Sequence, residues 1–380
     1  MPTDDPPPVR WGILATGKIA SDFTVALKAQ GAVAEVVAVA SRSQENADAF
    51  GDKFGVARRY ASYAELCQDP GVDAIYVASP HNYHHAHSLM CLRGGKHVLC
   101  EKPMTLNAGQ AREVLAEARA RGLFFMQGVW SRFFPAYLRV ADLVGCDGGG
   151  ELGDVRNVHC SFGFNDIWDI PRIQRRDLAG GATLDIGIYA VQAAVLAFGR
   201  GMPSAISATG HLNEDGVDMA AAVTLDYGDG KLAVLNFAVN CNLQNECVIS
   251  GDKASVRIHA PFWCATDVSI TKHDLVTGAS ADPDTEHFDL PPNDQQLNFT
   301  NSNGFQYEVQ AVCEAIQKGE TSLAGMSDEE SIVIMQILDE VRKQLGVCLQ
   351  HNALYENFTV QEHQTKTNSK RHVNQSHTIT

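Results

Sequence analysis

Positive charge is scarce in this chain: its 380 residues carry 30 Lys and Arg against 45 Asp and Glu, a formal net charge of −15. A nucleic-acid surface neutralises phosphates with a basic patch, so this balance argues against DNA or RNA as a partner. No run of 18 apolar residues is present, and the start, Met1-Pro-Thr-Asp-Asp-Pro-Pro-Pro8, lacks the basic and apolar regions of a secretory signal. A membrane partner is not expected, and the protein is read as cytoplasmic. The ten cysteines include no C-x-x-C pair and stand singly in apolar stretches, as at Cys67, Cys91, Cys100, Cys160 and Cys313. They are read as reduced, mostly buried thiols. No internal repeat is visible.

What is present is 45% hydrophobic residues, enough apolar material over this length for two buried cores. Residues 1–8 form a Pro-rich acidic arm, expected to be disordered or extended. Val9 to Leu14 reads as a buried strand, followed by the turn Ala15-Thr16-Gly17 and a helix to about Ala29. Strands at Ala34–Ala40, near 57–60, at Ala74–Ala78 and at Lys96–Cys100 then alternate with helices, the pattern of a doubly wound parallel sheet. A helix from Asn107 to Ala120 follows, and the pattern breaks before the glycine-rich stretch that ends at Gly150. The boundary is placed there, with a nucleotide-binding domain over 9–135 and a second domain over 136–348. In the second, extended stretches such as Val155–Phe162, Ala205–Leu212 and Lys231–Val239 predict a largely antiparallel sheet closed by helices near 305–318 and 328–345. Residues 349–380 are polar and read as a disordered tail.

Gly12-x-x-Ala15-x-Gly17-x-x-Ala20 directly follows the first strand and opens a helix, the context of a dinucleotide fingerprint. Gly17 lets the backbone approach a pyrophosphate at the helix amino terminus, whereas Ala15 stands where a first glycine is expected. The second strand ends in Ser41-Arg42-Ser43 with no acid; Arg42 and Ser41 suit a 2′-phosphate, which favours NADP over NAD. His81, His84, His85 and His87 cluster at a helix entry, but no Asp, Glu or Cys lies close by in sequence to complete a metal set. Crevice-lining roles are expected for them, and no metal. Lys102, in Glu101-Lys102-Pro103, follows the strand ending at Cys100, at the end of the sheet where open α/β folds bind ligands. Asp185 and Tyr189 stand four apart in an apolar helical start, on one face. A nearby Lys102 ammonium is expected to lower the Tyr189 pKa; a shift from about 10 to about 8 needs only about 2.7 kcal/mol.

Five motifs in order, Arg10–Gly17, Ser79-Pro80 with His84, Gly95–Pro103, Trp130–Pro135 and Gly180–Tyr189, resemble the glucose-fructose oxidoreductase/inositol dehydrogenase (Gfo/Idh/MocA) family over about residues 9–348. The likeness is to its branch of dimeric dihydrodiol dehydrogenases and NADP-dependent D-xylose 1-dehydrogenases. It implies a Rossmann domain, a second α+β domain whose open-faced sheet pairs two subunits, Lys102 as catalytic lysine and Tyr189 as acid/base. Histidine replaces the tyrosine in many relatives. The cofactor contacts assigned are Gly12, Ala15, Thr16, Gly17, Lys18, Ile19, Ser41, Arg42, Ser79, Pro80, His81, His84, Glu101 and Lys102. Asp185 is to hold Lys102 or a substrate hydroxyl, and Trp130, Arg132, Phe134, Phe162 and Arg176 are assigned to the substrate pocket.

The expected activity is NADP-dependent oxidation of a pyranose hydroxyl or of a cyclic trans-diol by hydride transfer. A keto-sugar reductase uses the same groups in reverse. A non-catalytic NADP-binding regulator is the remaining alternative, but such proteins can lose the lysine or the acid/base, and this chain keeps both.

Overall fold

Six strands whose residues are almost wholly apolar at the centre build the first sheet. In the computed structural model, which describes residues 6–145, 149–274 and 276–348, its strands are β1 (Val9–Leu14), β2 (Ala34–Ala40), β3 (Arg58–Tyr60), β4 (Ala74–Val77), β5 (His97–Glu101) and β6 (Phe125–Gly128). All pair in parallel, in the order β3-β2-β1-β4-β5-β6. Helices α1 (Lys18–Ala29), α2 (Gln44–Phe54), α3 (Tyr63–Gln68), α4 (His84–Arg93) and α5 (Ala108–Arg121) make the crossovers. The order reverses between β1 and β4, the point beyond the carboxyl ends of the strands where open α/β sheets take their ligands. A Cβ on Gly12, in mid-β1, would stand 2.9 Å from Leu66 of α3 and 3.2 Å from Val72. That glycine is there for close packing.

After α6 (Pro135–Val144), β7 (Val155–Gly163), the short helix α7 (Pro171–Gln174) and α8 (Ile188–Phe198) come seven more strands. These are β8 (Ala205–Leu212), β9 (Asp218–Gly228), β10 (Lys231–Ala238), β11 (Cys247–Gly251), β12 (Ala254–Ile258), β13 (Asp267–Lys272) and β14 (Asp284–His287). With β7 they form an eight-stranded sheet in the order β14-β13-β12-β11-β7-β10-β9-β8, antiparallel except for β7 against β10. One face packs on α8. The other carries half-exposed Val234 and Val248 on either side of exposed His159, in register.

Two late helices return. α9 (Phe305–Gln317) lies against β1 and α1, with Trp11 Nε1 donating to Cys313 Sγ at 3.3 Å and Phe305 edge-on to Phe23. α10 (Asp328–Leu345) begins with a capping box between Ser327 and Glu330 and packs on α5, α8 and β8. The Arg176–Phe198 stretch is long and apolar enough to cross a membrane, but 89% of its apolar window is buried against the rest of the fold, as in a core helix. Nine free cysteines are found among the described residues, seven of them buried. Residues 1–5 of the amino-terminal arm and the whole 349–380 tail lie outside the described residues. Of the arm, Pro7 accepts a hydrogen bond from Gln317.

Candidate active site

Gly17 caps α1 with extended backbone and no side chain over the helix end, and a Cβ added there would meet nothing within 4 Å. The first-turn N–H groups are therefore unfilled by the protein, with room for a phosphate close to the backbone. Thr16, Gly17, Lys18 and Ile19 all reach the surface here. Ala15 adopts φ 81°, a glycine-like conformation that costs an alanine roughly 1–2 kcal/mol. The positive φ thus falls on Ala15 rather than Gly17, whose φ is −74°. At the end of β2, Ser41 is buried within 3.4 Å of the Thr16 hydroxyl while Arg42 is exposed. These groups fit a dinucleotide.

The histidines serve the fold. His84 sits with Nδ1 2.7 Å from Pro103 O and Nε2 2.7 Å from Ser79 O, tying the loop after β4 to the loop after β5. His81 Nε2 reaches Ala179 O at 2.6 Å, and His87 Nδ1 reaches Ser79 Oγ at 2.9 Å. Burial pushes His81 down to about 3, His84 to about 4 and His87 to about 3. The carbonyls on both nitrogens of His84 favour its cation and hold back the fall. Both nitrogens of His84, which the sequence assigned to the cofactor, are engaged with carbonyls of the protein. No group of three metal-ligating side chains occurs among the described residues.

Glu101, the last residue of β5, is an internal anchor. It is buried, accepts from the Tyr76 hydroxyl, and takes the Lys102 N–H at 3.1 Å. Lys102 emerges beyond it, and its Nζ donates to the Asp185 carbonyl at 2.7 Å and lies 5.0 Å from the Tyr189 ring centre. The partner segment reaches this point through Gly180 and Gly181. Gly181 has φ 118°, and a Cβ there would stand 2.2 Å from Asp218 Oδ1, so glycine allows the chain to close on that carboxylate. Asp218 accepts from Thr183 N and Oγ1, both at 2.6 Å, and starts a π-helical turn over Thr183–Gly187. This wider turn leads into α8 and presents Asp185 and Tyr189 together.

Trp130 Nε1 donates to the Tyr189 hydroxyl at 3.0 Å. Phe162 is edge-on to Tyr189 and stacks on Trp263 at 4.5 Å. Burial, with Glu101 and Asp185 nearby, holds the Tyr189 phenol well above its usual range, against the lowering effect of Trp130. The expected lowering by Lys102 is therefore overturned: the ammonium faces the ring, and burial dominates. Asp185 behaves oppositely. Its burial favours the neutral acid, but the Arg172 and Lys102 charges outweigh this and keep it ionised, with Arg172 Nη1 2.5 Å from Oδ1.

Two residues assigned to the pocket lie in the interior. Arg132 is buried, its guanidinium spent on Gln192 and on Glu330 at 3.2 Å. Phe134 is fully buried between Trp130 and Tyr307. Arg176 lies beside the turn before β9, its N–H donating to Asp215. Pro80 is exposed next to buried Ser79. Arg172, Trp263 and Tyr76 were not singled out by the sequence; Arg172 lies 13 residues before its partner Asp185 and only folding brings them together.

The family model for oxidoreductases with an NAD-binding Rossmann fold matches residues 9–129, and that for the GFO/IDH/MocA C-terminal domain matches 145–257. The trans-1,2-dihydrobenzene-1,2-diol dehydrogenase of Xenopus tropicalis is 38% identical over 339 residues, covering 89% of this chain and 98% of the relative. The Homo sapiens enzyme of that name is 39% identical over 340 residues, covering 89% and 97%. Among solved structures, the 3-ketoreductase KijD10 of Actinomadura kijaniata, in complex with NADP and TDP-benzene, is similar with a TM-score of 0.74 and 27% identity, covering 89% and 98%. With this fold, this crevice and these relatives, the chain belongs to the GFO/IDH/MocA family of NAD(P)-binding oxidoreductases.

Proposed function

We propose that the protein is an NADP-dependent dehydrogenase acting on the CH–OH group of a cyclic trans-diol or of a pyranose such as D-xylose. The observation that carries this reading is the meeting of Lys102, Tyr189 and Asp185 at the carboxyl end of β5. The bound nucleotide supplies the hydride acceptor. Lys102, with one of its three donors on the Asp185 carbonyl, orients the substrate hydroxyl, and Tyr189 takes the hydroxyl proton as the carbinol C–H bond breaks and the carbon becomes a carbonyl. Half-buried Trp263, stacked on Phe162 beside Tyr189, offers an apolar face to the ring. The diol as substrate is supported by the names of the relatives at 38–39% identity. NADP is supported by exposed Arg42 with Ser41 and no acid at the end of β2, and by the nucleotide bound to KijD10.

Reduction of a keto-sugar is the second reading. It is favoured by the protonated state of Tyr189, which suits a proton donor, and by the 3-ketoreductase neighbour. A screen of trans-1,2-dihydrobenzene-1,2-diol, D-xylose and keto-sugars with NADP and NADPH, followed at the reduced-nicotinamide absorbance, separates the two. Loss of turnover in Tyr189→Phe is expected with whichever substrate reacts; unchanged turnover refutes the acid/base role.

The division into a cofactor domain over 9–135 and a substrate and dimerisation domain over 136–348 belongs to the same proposal. The face bearing Val234, His159 and Val248 is the surface assigned to a homodimer, and Val234→Glu is expected to give a monomer by light scattering. The seven buried free thiols suit a reducing compartment such as the cytoplasm.

A further inference from the structure

We infer that Arg172 is a positioning residue of this reaction: by occupying the Asp185 carboxylate, it leaves the Lys102 ammonium on the Asp185 main-chain carbonyl, turned toward Tyr189. The inference rests on the roles proposed above for Lys102 and Tyr189.

Two cations converge on one residue. Arg172 Nη1 stands 2.5 Å from Asp185 Oδ1, and Lys102 Nζ stands 2.7 Å from Asp185 O. Ammonium has three donors, and Lys102 Nζ makes a single hydrogen bond among the described residues, so two of its N–H groups stay available beside the Tyr189 ring, one of them for a substrate hydroxyl. A carboxylate is a stronger acceptor for an ammonium than a carbonyl. The Asp185 side chain is 10% exposed, so water does little to compensate its charge. Lys102 stays on the carbonyl because the carboxylate already has a partner.

The partner is built in. Pro171 opens α7, and Ile173, next to Arg172, is fully buried. Gly180 passes so close that a Cβ would lie 2.2 Å from Ile173 O, and its N–H donates to Arg175 O at 2.9 Å. The Arg172 stem is thereby anchored at the edge of the site, with its side chain 39% exposed. The other charged or titratable groups here do not replace it. Glu101 lies behind Lys102 and is anionic or neutral, His81 is spent on Ala179 O, His84 on two carbonyls, and Cys264 is a buried thiol. Among the described residues, Lys102 is the other cation acting on the buried Asp185 carboxylate once Arg172 is gone. Its flexible stem allows the move, which takes the ammonium off Tyr189.

The test uses the full chain with NADP and trans-1,2-dihydrobenzene-1,2-diol or D-xylose, and compares R172M, R172K, D185N, the R172M/D185N double variant and Y189F. Crystal structures of the wild type and R172M give a readout independent of turnover: Lys102 Nζ is expected to move from the Asp185 carbonyl to its carboxylate. In R172M, kcat should fall about tenfold or more with KM changed by less than about threefold. R172K should keep most of the activity. The double variant should recover at least about fivefold in kcat over R172M, because an amide does not capture Lys102. Lys102 unmoved in R172M, a defect confined to KM, or a double variant no better than R172M overturns the inference. An active Y189F refutes the underlying reading instead, and the position of Lys102 in the R172M crystals still decides the inference. A melting temperature for each variant checks that it folds.

Discussion

His87 gives a clean test of the histidine cluster. Its ring is 4% exposed, stacks on Tyr83, meets Tyr63 edge-on and has Nδ1 2.9 Å from the Ser79 hydroxyl. Burial, with His84 and Arg42 nearby, depresses it from 6.5 to about 3. A base depressed in the folded state contributes its stability above the unfolded pKa, and that stability is lost as pH falls from 6.5 toward 3. At pH 5 only the unfolded chain binds this proton, 1.5 pH units below the unfolded value, which amounts to about 2 kcal/mol. The wild-type curve alone does not isolate this. Buried Glu308, whose two carboxyl oxygens have no hydrogen-bond partner among the described residues, and Glu101 are both pushed up by burial and gain stability on acidification. The difference from His87→Asn does isolate it, since the amide sits where Nδ1 was and carries no titrating proton. Urea unfolding followed by tryptophan fluorescence at pH 7.5 and pH 5 should show the wild type losing about 2 kcal/mol relative to the variant. Parallel pH dependences would mean that His87 titrates normally in the fold, and the account of the cluster would fall.

Arg42→Asp should reduce the preference for NADP over NAD, measured as a ratio of kcat/KM, by about tenfold or more, because an acid repels a 2′-phosphate. Lys102→Met and Tyr189→Phe should each lower turnover by about a hundredfold while nucleotide affinity stays within about tenfold, and the double variant should be little worse than either. Multiplicative losses in that cycle would show two independent groups. Arg132→Met should leave KM unchanged but destabilise the fold by about 3–5 kcal/mol, since it strands Glu330, 9% exposed, without its partner; a raised KM with full stability would return Arg132 to the substrate pocket.

The alternation of apolar strands with helices was enough to place β1 to β5, and the turn after β1 was read from its glycines because such turns are local chemistry. Lys102 and Tyr189 were found through short motifs, each held by its own strand end or turn. What escaped was non-local. Spacing does not reveal that the Arg132 charge has a buried partner on α10, or that the Phe134 ring is enclosed from the α9 side. Arg172 was missed because a four-residue helix has no periodicity to read. The Tyr189 ionisation was misjudged for the same reason: proximity to a lysine is visible in motif logic, but the burial that outweighs it belongs to the folded core.

Phe23 joins two chains of ring contacts. Its ring stacks on Tyr76 at 3.7 Å, and Tyr76 holds Glu101, whose backbone continues into Lys102. Its edge meets Phe305 at 5.6 Å; Phe305 stacks on Trp130, and Trp130 holds the Tyr189 hydroxyl. The lysine and the tyrosine, contributed by distant stretches of chain, are thus two ends of a single scaffold of rings hinged on a residue of the nucleotide helix. A change in volume at Phe23 would be transmitted along both arms at once, so this interior position constrains the placement of Lys102 and of Tyr189 together.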